Sequence, residues 1–303
     1  MPADTASRRA RALTSLAGLS VGDAFGDQFF LNPATIEQRI QDRIVPPAPW
    51  PYTDDTEMTL SVMSVLWRHG RIDQDALALA FADHYDPSRG YGPAMHRIIA
   101  RITNGEHWSE VAGSAFDGQG SYGNGAAMRS APIGAYFADD LDAVIRQSTL
   151  AAQVTHAHPE GIAGGIAVAV AAALACNARE QSTQPPEPQD FLEQVQALVP
   201  PGEVQSRLRR ARDLDDNTPV QTAVAVLGNG TGLSAQDTVP FALWCAARNL
   251  NNYVAALWET VSGLGDRDTT CAIAGSIVAA FTGRKGIPAS WLVSRERLPE
   301  WTI

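Results

Sequence analysis

Two short runs concentrate the chain's oxygen-bearing side chains. Thr53-Asp54-Asp55-Thr56-Glu57 follows the proline-rich stretch IVPPAPWPY at 44–52 and precedes an apolar run. Gly265-Asp266-Arg267-Asp268-Thr269-Thr270 follows Ser262-Gly263-Leu264 and precedes an alanine-rich run. Both read as junctions between a loop and a helix start. Either can be a plain cap, because Asp and Thr oxygens accept from the free N–H groups there and negative charge suits that end of the dipole. A cap needs one oxygen, whereas each run offers two carboxylates and a hydroxyl. The other use is a hard-cation site. A donor set of oxygens without Cys or His selects Mg2+, Mn2+ or Ca2+ over zinc or copper. If the junctions meet, four carboxylates converge. Two divalent ions would balance them and would sit about 3.5–4 Å apart.

A glycine-rich segment is the second feature with chemical content. Residues 116–132 read FDGQGSYGNGAAMRSAP, with Gly118, Gly120, Gly123 and Gly125 among Phe116, Ser121, Tyr122 and Asn124. Such a loop permits unusual dihedrals and close backbone approach, and its N–H groups can make an anion nest. An ordinary glycine loop is the competing reading. It is neither a Walker loop nor a dinucleotide fingerprint, since no expected strand precedes it. A weaker loop, LGNGTG at 227–232, contains Asn229 and Gly230. Thr155-His156-Ala157-His158-Pro159 could offer imidazoles to a metal, but a capping and loop role is favoured where oxygen ligands already dominate. His69, His84, His96 and His107 are assigned nothing.

The elements that must position these residues are helices. Apolar spacings of three and four predict them over 8–20, 56–69, 73–85, 141–154, 162–179, 190–198, 240–249, 253–262 and about 269–282, with a break at Gly22-Asp23. Period-two alternation is scarce, so the fold class is all-α. Alanine- and glycine-rich runs (GIAGGIAVAVAAALAC, TTCAIAGSIVAAF) predict close helix packing at the centre. Pro-rich 180–190 is the best boundary candidate, but a division there would separate residues that share the site. One domain, 1–303, is expected. With 23 Lys plus Arg against 33 Asp plus Glu the net charge is −10, which disfavours strong nucleic-acid binding. Cys176, Cys245 and Cys271 lie far apart in apolar runs, as buried core thiols do. The N-terminus lacks a secretory apolar stretch, and the longest such run, 161–176, is short for a bilayer. A cytoplasmic protein with no membrane partner is expected.

Taken in order, five segments resemble the ADP-ribosylglycohydrolase family: GLSVGDAFG at 18–26, YTDDT at 52–56, GSYGNGAAMR at 120–129, THAH at 155–158 and GDRDT at 265–269. They span nearly the whole chain. The 116–128 run and the LGNG-to-Val239-Pro240 stretch look most like the branch acting on O-linked ADP-ribose: ADP-ribosyl-serine, O-acetyl-ADP-ribose and poly(ADP-ribose). The resemblance implies a compact orthogonal helix bundle with a binuclear Mg2+ (or Mn2+) centre. Thr53, Asp54 and Asp55 would be ligands from one side, and Asp266, Asp268 and Thr269 from the other. Asp54 or Asp55 would be the catalytic base. Gly120, Ser121, Tyr122, Gly123 and Asn124 would hold the diphosphate and proximal ribose, with Phe116, Gly118 and His156 nearby. Asn229 and Gly230 would approach the adenosine. The implied partner is ADP-ribose or an ADP-ribosylated substrate; a monomer is expected.

Two positions depart from the family's pattern. The first motif there continues to a Glu, which gates the metals or moves a proton, where this chain has Phe30; Asp27 or Glu37 would have to compensate. The residue between the late aspartates is usually small, and here it is Arg267. The expected activity is metal-assisted hydrolysis of the C1″ glycosidic bond. The alternatives are an ADP-ribose-binding protein impaired in turnover by Phe30, and hydrolysis of an N-linked ADP-ribosyl group.

Overall fold

The computed structural model describes residues 4–30, 33–182 and 184–302. Among the described residues there is no strand; Trp50 with Arg295 and Gly123 with Ser234 form isolated bridges. The chain is all-α, as its periodicity predicts. Helices α1 (Thr5–Asp27), α2 (Pro33–Gln41), α3 (Asp54–His69), α4 (Gln74–Asp83), α5 (Pro93–Thr103) and α6 (Trp108–Ser114) make the first third. Then come α7 (Gly125–Met128), α8 (Ala131–Tyr136), α9 (Leu141–Gln153), α10 (Pro159–Gln181), α11 (Pro188–Leu198) and α12 (Glu203–Asp213). The remainder is α13 (Val220–Leu227), α14 (Ala235–Arg248), α15 (Tyr253–Val261), α16 (Arg267–Thr282) and α17 (Ala289–Ser294).

The first helix does not break at Gly22-Asp23; it runs to Asp27. Glycine here is a contact surface. Gly18, Gly22 and Gly26 recur every fourth residue and so share one face. A Cβ at Gly18 would stand 2.4 Å from the Gly275 carbonyl oxygen, at Gly22 2.2 Å from that of Cys271, and at Gly26 2.2 Å from that of Arg267. α1 and α16 therefore touch backbone to backbone and run antiparallel. Each glycine costs about 1 kcal/mol of helix propensity relative to Ala. The close approach is what offsets that cost. The Tyr253 hydroxyl reinforces the seam by donating to the Gly18 carbonyl at 2.7 Å.

α10 is longer than the apolar run suggests and is long and apolar enough to pass for a membrane span, yet it is mostly buried inside the fold. It packs against α7, α8, α9, α14 and α16. Its small side chains allow that crowding; from Gly161 to Cys176 only Ile162 and Leu174 escape full burial.

The proline-rich stretch before α3 is held from the far end of the chain. The Trp50 N–H donates to the Ser294 carbonyl at 2.7 Å, and the Glu296 N–H to the Trp50 carbonyl at 2.8 Å. Arg89 lies 3.8 Å over the Tyr52 ring, donates to the Tyr52 carbonyl at 3.0 Å, and pairs with Glu296 at 2.7 and 3.0 Å. Tyr52 leads directly into Thr53, the cap of α3.

Candidate active site and metal centre

The two acidic junctions meet, and a third helix joins them. Asp23 on α1, Asp55 on α3 and Asp268 on α16 each present a carboxylate oxygen within 4.8 Å of the others. The glycine seam makes this possible by holding α1 and α16 in register. Asp23 is fully buried and braces the start of α3. It accepts from the Thr53 N–H at 3.0 Å, the Thr53 hydroxyl at 2.7 Å, the Thr56 N–H at 3.2 Å and the Thr56 hydroxyl. Asp55 Oδ2 lies 3.2 Å from Thr53 Oγ1 and 3.3 Å from Thr269 Oγ1. Its Oδ1, like Asp268 Oδ1, is buried with no hydrogen-bond partner.

Capping accounts for only part of this. Thr53 does accept from the Asp55 N–H, as a cap does. Asp266 sits at the start of α16 but makes no side-chain cap bond. It accepts instead from Asn124 Nδ2 at 2.6 Å, and Asn124 also donates to Thr238 Oγ1 at 3.0 Å. Burial, reinforced by neighbouring acids, raises Asp23 to about 7 and pushes Asp54, Asp55 and Asp268 well above the carboxylate range. Among the described residues none of these acids is ion-paired. Unpartnered buried oxygens, mutual repulsion and an all-oxygen donor set fit a hard divalent cation.

Beside the acids opens a cavity of about 370 Å³. Asp54, Asp55, Asp266, Asp268 and Thr269 line one side, and Phe116, Ser121, Gly123, Asn124 and His156 line the other. Thr53 lies beneath, buried. Other expected positions do not line it. Gly120 passes against the backbone of Ala157 and His158, where a Cβ would stand 2.6 Å from the His158 nitrogen. Gly118 takes a positive φ of 83° in open space. Tyr122 is exposed, 6.1 Å from the Phe116 ring and edge-on to His158. His158 caps α10. Asn229 and Gly230, expected at the adenosine end, are absent from the lining and brace Asp266. The Asp266 N–H donates to the Asn229 carbonyl at 3.0 Å, and a Cβ at Gly230 would stand 2.5 Å from Asp266 Cβ.

The two departures from the family pattern lie against one another. The Arg267 guanidinium stands 4.9 Å from the centre of the Phe30 ring, a cation–π contact, and its Nε is buried without a partner. Arg267 thus points away from the acids that flank it. Asp27 is half-buried one turn beyond Asp23 and adds to the repulsion on Asp268, whereas Glu37 is exposed. Sequence reasoning did not assign Asp23. Its signal was an aspartate amid small and apolar residues, read there as the end of a helix.

An ADP-ribosylglycohydrolase family model matches residues 4–302. ADP-ribosylhydrolase ARH3 of Mus musculus is 32% identical over 284 residues, covering 83% of this chain and 75% of that protein. The Homo sapiens protein of the same name is 31% identical, covering 83% and 76%. An uncharacterized protein of Archaeoglobus fulgidus is 32% identical over 291 residues, covering 91% and 88%. The solved structure of an ADP-ribosylglycohydrolase-related protein complex shares the fold, with a TM-score of 0.68 over 96% of this chain and 94% of that one, at 24% identity. A family match that leaves only the outermost residues uncovered, joined by relatives more than 30% identical over most of the chain, makes this protein a member of the ADP-ribosylglycohydrolase family and a glycohydrolase of ADP-ribosyl groups.

Proposed function

We propose that the protein cuts the C1″ glycosidic bond of an O-linked ADP-ribosyl group with the help of divalent cations, Mg2+ or Mn2+, and releases ADP-ribose. The observation that carries this reading is the pair of buried, unpartnered oxygens, Asp55 Oδ1 and Asp268 Oδ1, beside the cavity. Thr53, Asp54, Asp55, Asp266, Asp268 and Thr269 would hold the cations, two of which balance the four carboxylates of that set, with Asp23 beside Asp55 and Asp268 bracing the start of α3. Bound there, they supply a hold on ribose hydroxyls and water and offset charge as the glycosidic bond breaks.

The chain's own residues divide the remaining work. Asp55 is tied to Thr53 and Thr269, so its position is fixed. Asp54 lines the cavity and no other described residue donates to its carboxylate, so it is the group placed to take the proton of an attacking water. Asn124 orients Asp266 while walling the cavity. Ser121, Gly123, Asn124 and His156 receive the diphosphate and proximal ribose, which fixes C1″ relative to the acids. The ARH3 relatives and the motif resemblance favour the O-linked branch.

The test is a panel of ADP-ribosyl linkages on serine, arginine, acetyl and nucleobase acceptors, assayed with Mg2+ and with EDTA, with ADP-ribose separated from AMP. Release of ADP-ribose from an O-linked substrate should need Mg2+ and fall on the order of a thousandfold in Asp268→Ala. Turnover that survives both EDTA and the substitution would sink the proposal.

A further inference from the structure

Beneath the glycine turn runs a buried chain of hydrogen bonds that the chemistry above does not use. Arg129 has no exposed surface. Its guanidinium lies 4.6 Å from the Phe81 ring centre, and Nη1 is 3.4 Å from Met58 Sδ. Nη2 donates to the Ala151 carbonyl at 3.2 Å and to Thr155 Oγ1 at 2.7 Å. Nε has no partner, and among the described residues no carboxylate pairs with the cation. Burying a charge without its opposite is costly, so its placement calls for a use.

Thr155 is equally buried, and its Oγ1 lies 2.7 Å from His156 Nδ1. Because Oγ1 accepts from Arg129, its own proton is the one left to give. Among the described residues Nδ1 is the acceptor within reach. The opposite tautomer would strand that proton in the interior and aim Nδ1–H at an oxygen already held by a cation. The hydroxyl therefore donates to Nδ1, and the ring proton resides on Nε2. Nε2 faces the turn at the cavity wall, where a Cβ on Gly123 or Gly125 would stand 3.3 Å from it.

We propose that Arg129 and Thr155 are positioning residues that lock His156 in its Nε2–H tautomer, giving the cavity a fixed ring N–H donor for a diphosphate oxygen of the ADP-ribosyl group. Burial and the Arg129 charge also lower the pKa of His156 to about 3, so the ring stays uncharged across the working range. With the lock removed, the ring can present a lone pair to the anionic oxygen, and binding weakens. The identity of the bound oxygen rests on the hydrolase reading above, while the tautomer does not.

The test reads the tautomer in the ligand-free protein by long-range 15N–1H NMR of the histidine rings, with His156 assigned by its loss in His156→Gln. Nδ1 should be unprotonated and Nε2 protonated. Thr155→Val, which keeps the shape and removes the hydroxyl, should mix the tautomers and raise KM on the order of tenfold with kcat little changed. Thr155→Ser should restore both. Nδ1–H in the wild-type protein, or a Thr155→Val protein with unaltered tautomer or KM, overturns the proposal. If Thr155→Val fails to fold, the wild-type spectrum still decides. Because that spectrum needs neither metal nor substrate, its failure leaves the hydrolase reading to its own test.

Discussion

Asp55 and Asp268 each bury an oxygen without a partner inside one acidic cluster, and that has a measurable consequence. Replacing one of them with its neutral isostere should relieve repulsion in the metal-free protein. Asp268→Asn is expected to raise the melting temperature measured in EDTA by several degrees and to abolish the further rise that Mg2+ gives the wild type. Scanning calorimetry of both proteins with and without Mg2+ checks this. His156 makes an opposite statement about pH. Its folded-state pKa is about 3, below the usual 6.5, so the unfolded chain binds the proton more readily. The stability involved is fully present above pH 6.5 and is lost as pH falls toward 3. By pH 5 the wild type should have lost about 2 kcal/mol more than His156→Gln, read from denaturant melts. At this scale the acids were legible because Asp and Thr cluster at two helix starts. Asp23 was not, because glycine beside it mimics a stop. The direction of Arg267 was not either, since a rotation about α16 decides whether it meets the acids or Phe30.

Of the helices with an apolar stripe, α3, α9, α11 and α15 fall close to where spacing puts them, whereas α5, which buries Met95, Ile98, Ile99 and Ile102, was not expected. α7 and α8 are too short for any period to register. α12 buries Val204, Leu208 and Ala211 from a run otherwise given to solvent, and its charges hide the stripe. The α1–α16 seam was invisible for a different reason: a face without side chains leaves no pattern to count, and only the partner's backbone shows its purpose. Gly22→Ala tests it. The Cβ would enter the space of the Cys271 carbonyl, so the gain in propensity of about 1 kcal/mol should be outweighed and the fold destabilised by about 2 kcal/mol. That corresponds to a melting temperature roughly 3 °C lower for a chain of this length. Because α1 carries Asp23 and α16 carries Asp268, the same change should weaken the Mg2+ response.

At the scale of the molecule, the end of the chain returns to the beginning of the site. Glu296 holds Arg89, Arg89 holds Tyr52, and Tyr52 precedes the ligand-bearing start of α3. No local motif announces such a tie, because its members lie far apart in the chain and each is an ordinary charged or aromatic residue. Glu296→Ala should cost little stability, about 1 kcal/mol for a partly exposed pair, yet weaken Mg2+ binding by up to about tenfold in a calorimetric titration.

The connection between α10 and α11, with Ser182 and Gln184 exposed, divides the site's inventory. Asp23, Asp54, Asp55, the glycine loop and His156 precede it, while Asp266, Asp268 and Thr269 follow. A chain severed there would yield two inert fragments, joined again by noncovalent contacts: α1 on α16, α10 on α14 and α16, and the tie of Trp50 and Arg89 to the last residues. Fused to a pair of interacting proteins, those fragments would form a reconstitution reporter whose signal is the return of ADP-ribose release.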